Sequence, residues 1–258
     1  LVAIIPAKEK IMEGLKKIYR NWKRKWNFFR SVNWIKTYHI NYKMFPGSIA
    51  RKLPVYVYGK VHFGNLSGTI NIDAPIKKGM IGFGQPYELV TRSKGTAEIF
   101  LKGTFVCKGH VQFGKDYLFH VGEGAYFEMG HLASIASNGK VICKEKIVMG
   151  NYARMGSECQ LIDTNFHQLY DTQTGKRFPM TAPIVVGNYN FISNRVTIMR
   201  GTITPNHCTI ASNTLCTKDY TSLGNHILIG GIPAKLLREH IARDWEAEQA
   251  RLEKYLIV

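Results

Sequence analysis

From residue 186 onward the chain repeats in sixes. Val186, Ile192, Ile198, Thr204, Ile210 and Cys216 stand six apart. Four residues after each of the first five come Asn190, Val196, Thr202, Cys208 and Thr214, all small, polar or β-branched. An α-helix repeats every 3.6 residues and a lone strand every two, so a strict period of six fits neither. It suits a coil of three flat faces, each about six residues long, whose corners stack on those of the next coil. Aliphatic side chains at one position then fill the axis of a three-sided prism, and small ones fit where the chain turns. The sequence predicts a mainly β protein built as a parallel β-helix.

Three segments of this run share a further likeness. Gly231-Ile232-Pro233-Ala234-Lys235 resembles the Gly-x-Pro-Ala-Lys that closes the hexapeptide-repeat acyltransferases. Cys216-Thr217-Lys218-Asp219 resembles their Val-Thr-Lys-Asp. Val186-Gly187-Asn188-Tyr189-Asn190-Phe191-Ile192 resembles their Ile-Gly-Asn-x-x-Trp-Ile, with Phe191 in place of Trp. The likeness covers residues 95–240 and is densest over 183–240. It implies a single-stranded left-handed β-helix. The winding sense comes from the resemblance alone, because crossovers between parallel strands are otherwise right-handed.

The hexads can be followed upstream in pieces. Ile99, Phe105, Val111 and Tyr117 keep the interval, with Gly103 and Gly109 at the small position. Val121 and Phe127 resume it after a shift, and Met149, Met155 and Leu161 again, with Ala153 and Cys159 as the small residues. Breaks near 118–120 and 134–142 suggest insertions at corners. The expected organisation is an N-terminal basic helical segment over 1–53, a β-helix over 54–231 with an extruded loop at 163–183, and a C-terminal helix over 232–258. That last helix would carry Leu237, Ile241, Trp245, Leu252 and Tyr255 on one stripe, interrupted by Glu248.

Residues 8–45 stand apart in composition, with eleven Lys or Arg against Glu9 and Glu13. Ile11, Leu15, Ile18, Trp22, Trp26 and Phe29 recur at steps of three or four, the spacing of one helix face. Two roles fit such a basic, Trp-bearing helix. It can lie on an anionic membrane surface, or its apolar face can cap the open end of the solenoid or pack within a trimer. The whole chain carries a net charge of +17, which calls for an anionic partner: a phosphorylated cofactor, a glycan or a lipid. No recognised nucleic-acid motif is present, so no nucleic-acid partner is expected. No apolar run approaches the roughly 20 residues that span a bilayer, and Leu1 to Ala7 is short for an export signal. The expected location is cytoplasmic, either free or peripheral at the inner face of the membrane. Cys107, Cys143, Cys159, Cys208 and Cys216 lack metal-ligand spacing and read as reduced packing residues.

The resemblance also implies a chemistry. Asp163-x-x-x-His167, followed by Val186-Gly187-Asn188, looks like the segment that carries the catalytic histidine in sugar acetyltransferases of this family. A neutral imidazole suits removal of a proton from an acceptor hydroxyl at neutral pH. Asp163 is one candidate to orient it; Asp171 and a backbone carbonyl are others. Asn165 and Asn194 are alternative donors to the oxyanion, and Asn194 would also lie along the cofactor groove. The acyl donor is expected to be acetyl-CoA, with no metal. By resemblance Ala211 and Ser212 lie along its pantetheine arm, Thr217 and Lys218 near the adenosine end, and Lys235 and Arg238 at the phosphates. Sites of this family lie between prisms, which implies a homotrimer. The expected acceptor is a sugar hydroxyl of a bacterial surface polysaccharide or lipopolysaccharide precursor, free or lipid-linked. Alternatives are N-acetylation of an amino-sugar nucleotide, a zinc-dependent hydratase on the same prism, and a non-catalytic glycan-binding scaffold. His110, His120 and His131 are structural or line the groove, and His207 and His226 fall in turns.

Overall fold

The computed structural model describes residues 7–85 and 93–256, with side chains for all of these except 7–11 and 254–256. The start of the chain through Pro6, and the side chains of Ile11 and Tyr255, lie outside the described residues. Three helices, α1 (Ala7–Ser31), α2 (Trp34–Met44) and the short α3 (Gly47–Ala50), precede the strands. The strands wind into a three-sided parallel prism. Among the described residues face 1 holds nine strands, face 2 seven and face 3 five. All pairings are parallel except the last one on face 1. A fourth helix, α4 (Trp245–Leu256), ends the described chain.

The six-residue rhythm sets which side chains point inward. Val186, Ile192, Ile198, Thr204, Ile210 and Cys216 are all buried, and so are Asn190, Val196, Thr202, Cys208 and Thr214. Two of the polar members, Asn190 and Thr204, are held inside by hydrogen bonds. Asn190 donates to the carbonyl of Pro205 at 2.8 Å, and the Thr204 hydroxyl donates to Asn190 Oδ1 at 2.8 Å.

The prism narrows along its axis. Phe113 pairs with Ile135, twenty-two residues on, Ile135 with Met155, twenty on, and Ile192 with Ile210, eighteen on. A wider coil needs larger side chains to reach native packing density. The wide coils are filled by Phe83, Phe105, Phe113, Phe119 and Phe127, with ring centroids 4.6 Å apart for Phe83 and Phe113 and 5.0 Å for Phe105 and Phe119. The narrow coils are filled by Ile, Thr and Cys. This taper corrects the expected corner insertions near 118–120 and 134–142. Residues 118–120 lie within an ordinary strand, Leu118–Val121, and 134–142 hold strand residues around a four-residue corner. The shift of phase arises because Phe119 with Val121, and Val141 with Cys143, both point inward on face 2, whereas the strands Thr197–Met199 and Leu215–Cys216 there offer one inward residue each.

Corners 114–117, 136–139, 156–159, 193–196 and 211–214 between faces 1 and 2, and 130–133, 150–153 and 187–190 between faces 3 and 1, are four residues long, with the third in the left-handed region. Tyr152, Tyr189 and His207 take φ of 56°, 56° and 55° at the 3/1 edge, and Asn138, Glu158 and Asn213 take 57°, 60° and 57° at the 1/2 edge. At the 3/1 edge Asn side chains tie each corner to the next. Asn151 Oδ1 accepts from the His131 amide at 2.7 Å, Asn188 Oδ1 from Asn151 at 2.8 Å and Asn206 Oδ1 from Asn188 at 2.8 Å. Gly150 opens one of these corners because a Cβ there would lie 2.7 Å from the Asn188 amide nitrogen.

Both prism ends are covered. Thr37 and Asn41 of α2 are buried against the first strand, Val55–Val57. The Thr37 hydroxyl accepts from the Val57 amide at 3.0 Å, while Asn41 accepts from the Val55 amide at 3.1 Å and donates to its carbonyl at 2.7 Å. Side chains of α2 thereby satisfy a strand edge that would otherwise be bare. The C-terminal rim departs from the expected helix over 232–258. The chain turns at Gly231, φ 103°, and Lys235–Arg238 runs back antiparallel beside Leu228–Gly230, pairing Gly230 with Lys235. The helix begins only at Trp245. Leu237 lies on that exposed strand and Ile241 in the following loop, so the expected stripe is reduced to Trp245 and Leu252 among the described side chains. Trp245 is buried against Tyr189 and Tyr152.

Candidate active site

The edge between faces 2 and 3 is the irregular one. Its corners span residues 67–68, 102–103, 122–125, 144–145, 163–183, 200–202 and 217–218. The longest is an arm rather than a slack loop. Thr164 bridges Thr181 and Tyr170 bridges Arg177, both antiparallel, and the Phe178 amide donates to the Leu169 carbonyl at 2.9 Å. Asp171 turns the tip by accepting from the amides of Gln173 and Thr174, which holds its carboxyl below the usual range. Phe166, Leu169, Tyr170 and Met180 are exposed along the arm.

His167 sits near the base of this arm, exposed, with its backbone amide donating to the Asn165 carbonyl at 2.7 Å. Asp163 does not serve it. Its carboxylate is fully buried and accepts from the amides of Lys144, Glu145 and Lys146 at 2.7, 2.8 and 2.9 Å. It braces the corner one coil earlier, which corrects the expectation that it orients the histidine. Asp171, the second candidate, is likewise engaged, at the tip of the arm.

Strand registers place the remaining candidates. Ile162 lies beside Met199, and Ile198 beside Cys216. The arm base, Arg200 and Thr217–Lys218 therefore follow one another along the 2/3 edge, in coils about 4.8 Å apart. Thr217 and Lys218 are exposed there. Asn194, Ala211 and Ser212 lie on the 1/2 edge. Asn194 Oδ1 accepts from the Ser157 amide at 3.2 Å, and the Ala211 amide donates to the Ile229 carbonyl at 2.9 Å. Ser212 and Thr217 lie at opposite ends of the strand Leu215–Cys216, so a face of the prism separates them. Within one chain, then, Asn165 is the oxyanion candidate on the side of His167, and Asn194 is across a face from it. Lys235 and Arg238 are exposed on the antiparallel strand at the rim of face 1, not at the start of a helix.

Two features escape a reading by hexads. Lys102, Lys144, Arg200 and Lys218 all fall at corners of the 2/3 edge, giving the edge of His167 a line of cations. At the 3/1 edge Tyr189 stacks between Tyr152 and His207, 4.9 Å from each at 4°, and His207 stacks on His226 at 4.4 Å. The repeated Gly-Asn-Tyr at 150–152 and 187–189 is the signal in the sequence for that second feature. His110 is also structural: burial, followed by the charges of His131 and Lys77, pushes its imidazole down to about 4. Among the described residues no three His, Cys, Asp or Glu side chains are grouped as metal ligands would be.

Stacked corners, inward hexads and three parallel faces define a hexapeptide-repeat β-helix. No family model and no curated protein matches the sequence. Among solved structures it is similar to the polysialic-acid-specific acetyltransferase NeuO at 17% identity, covering 76% of this chain and 79% of that one with a TM-score of 0.46. It is similar also to a hexapeptide-repeat acetyltransferase of Vibrio cholerae O1 biovar eltor complexed with acetyl coenzyme A, at 20% identity over 52% and 66% with a TM-score of 0.38. The polysialic acid O-acetyltransferase OatWY matches at 18% identity over 76% and 100% with a TM-score of 0.34. Superpositions this loose say nothing of substrate.

Proposed function

We propose that the protein is an acyltransferase of the hexapeptide-repeat family, with a left-handed coil, moving an acetyl group from acetyl-CoA to a sugar hydroxyl of a bacterial surface polysaccharide or lipopolysaccharide precursor in the cytoplasm. The observation that carries this reading is the 2/3 edge. It gathers an exposed histidine on a braced arm, the Thr217–Lys218 pair two coils away, and a line of cations suited to an anionic substrate. In the proposed reaction His167 takes the proton of the acceptor hydroxyl as its oxygen attacks the thioester carbonyl. A C–O bond forms, the C–S bond breaks, and the proton passes from the imidazolium to the departing thiolate. The oxyanion that develops is assigned to Asn165. Ala211 and Ser212, across face 2, would serve the pantetheine arm of a donor held against a neighbouring prism, which is why the site is proposed to need a homotrimer. Lys218, Lys235 and Arg238 would meet its phosphates.

The test is coenzyme A release from acetyl-CoA in the presence of surface glycans, monitored as free thiol. His167→Ala is expected to lower the rate by about 10²–10⁴-fold with an unchanged melting temperature, since its side chain lies outside the core. A rate within a factor of two of the parent would remove the assignment.

A further inference from the structure

Every side chain of α1 from Met12 to Asn27 is exposed. The helix is fastened to the prism at its last turn, where Phe28 packs on Tyr56 and Tyr58 with centroids 5.5 and 6.5 Å apart. At about 100° per residue, Phe28 points about 120° away from the centre of an apolar arc formed by Leu15, Ile18, Trp22, Trp26 and Phe29. That arc is uncovered, with Ile18 66% and Trp22 58% exposed. It is also continuous. Trp22 stacks on Trp26 at 6.0 Å, and the row runs on through Phe29, Trp34 and Tyr38 to Tyr42 of α2. From Met12 to Phe29 it extends about 26 Å. Contiguous apolar surface of this size marks an interaction site.

Three occupants can be weighed. The open end of the prism does not use the stripe, because α2 already covers it through Thr37, Ile40 and Asn41. Two copies stacked stripe to stripe would bring together Lys16 and Lys23, on one border of the arc, and Lys25 on the other. The acidic helix α4 of a second copy is an unsuitable cover, because Glu248 is paired with Arg243 and Glu253 accepts from the Tyr152 hydroxyl at 2.9 Å. An anionic bilayer satisfies both halves of the helix. Indole rings favour headgroup depth, and cations at the border of the arc sit at the level of the phosphates.

We infer that α1, continued by the exposed rim of α2, is a membrane-surface anchor that lies flat in an anionic leaflet. The inference is independent of acyl transfer and stands even if His167 is idle. The test is flotation of the full chain with vesicles of equal parts phosphatidylcholine and phosphatidylglycerol, and with vesicles of phosphatidylcholine alone. Binding to the anionic vesicles is expected to be at least about tenfold stronger, since each cation near such a surface is worth about fivefold. It should be lost at about 1 M salt, where the screening length shrinks to about 3 Å. Trp22→Glu with Trp26→Glu, and separately Lys16→Glu with Lys23→Glu, are each expected to weaken it at least about tenfold. Both variants should keep the parent melting curve, because these side chains touch nothing in the prism. Equal binding to both vesicles, or to neither, would overturn the inference. So would a Trp variant that sediments as a smaller assembly while its vesicle binding is unchanged, which would identify a second copy as the cover.

Discussion

Replacing Asp163 with Ala separates a brace from a catalytic partner. The carboxylate receives three amide donors from residues 144–146 at 2.7–2.9 Å and is itself fully buried. The side chains of Lys144, Glu145 and Lys146 are exposed, so water can reach part of the corner once the carboxylate is gone. Each lost bond to a charged acceptor is then worth about 1 kcal/mol rather than the full cost of a buried orphan, and the three together about 3 kcal/mol. For a chain of this size that corresponds to a fall of roughly 6–12 °C in melting temperature, read by calorimetry or near-UV circular dichroism. Asp163→Asn retains one acceptor oxygen but turns an amide donor toward other donors, so it should fall between the parent and Ala. A melting temperature within about 2 °C of the parent, combined with lost activity, would refute the brace and return Asp163 to the role of orienting His167.

Two further outcomes follow from buried groups. The imidazole of His110, 5% exposed, is held down to about 4, and those of His120, His131 and His207 are lowered as well, in each case first by burial. The unfolded chain therefore takes up protons that the folded chain refuses. Stability should be full above about pH 6.5 and fall as pH drops toward 4, by on the order of 2 kcal/mol from His110, and a melting curve against pH for His110→Gln should be flatter over that window. All five cysteines are buried, and burial pushes the Cys159 thiol up to about 11 and those of Cys208 and Cys216 to about 12. A thiol reagent at pH 8 should label fewer than one per native chain and all five in denaturant, by mass spectrometry; rapid native labelling would mean that the prism opens.

What could be read from the sequence follows the width of the coils. Ile192 to Ile210 makes a coil of three equal sixes, so there the letters and the geometry coincide. Where Phe113 to Ile135 makes a wider coil, two inward residues share one face and the six-step falls out of phase, although Phe119, Val121 and Phe127 are as buried as any hexad residue. The arm was visible as a gap in the rhythm, and His167 with it. The Asp163 contacts were not, because its partners belong to the preceding coil and nothing local marks them. The C-terminal strand was hidden for a related reason. Lys235-Leu236-Leu237-Arg238 has the composition of a helix start, but the prism offers the edge of Leu228–Gly230 as a template, and tertiary pairing outweighs local propensity.

The three edges of the prism divide the work. From residue 114 on the 1/2 edge and from 130 to 190 on the 3/1 edge the corners have four residues with the third left-handed, and at the 3/1 edge Asn151, Asn188 and Asn206 bond corner to corner while Tyr152, Tyr189, His207 and His226 stack. A corner of different length in such a column would cost the hydrogen bond above it and the one below. Among the described residues the 2/3 edge has no comparable column of side chains, and its corners run from two residues at 102–103 to twenty-one at 163–183. Insertion there is therefore less costly than at the columned corners of the other edges. The arm at 163–183, its histidine and the cations of neighbouring corners collect there because the facing corners of the same coils on the other two edges are committed to holding the coils in register.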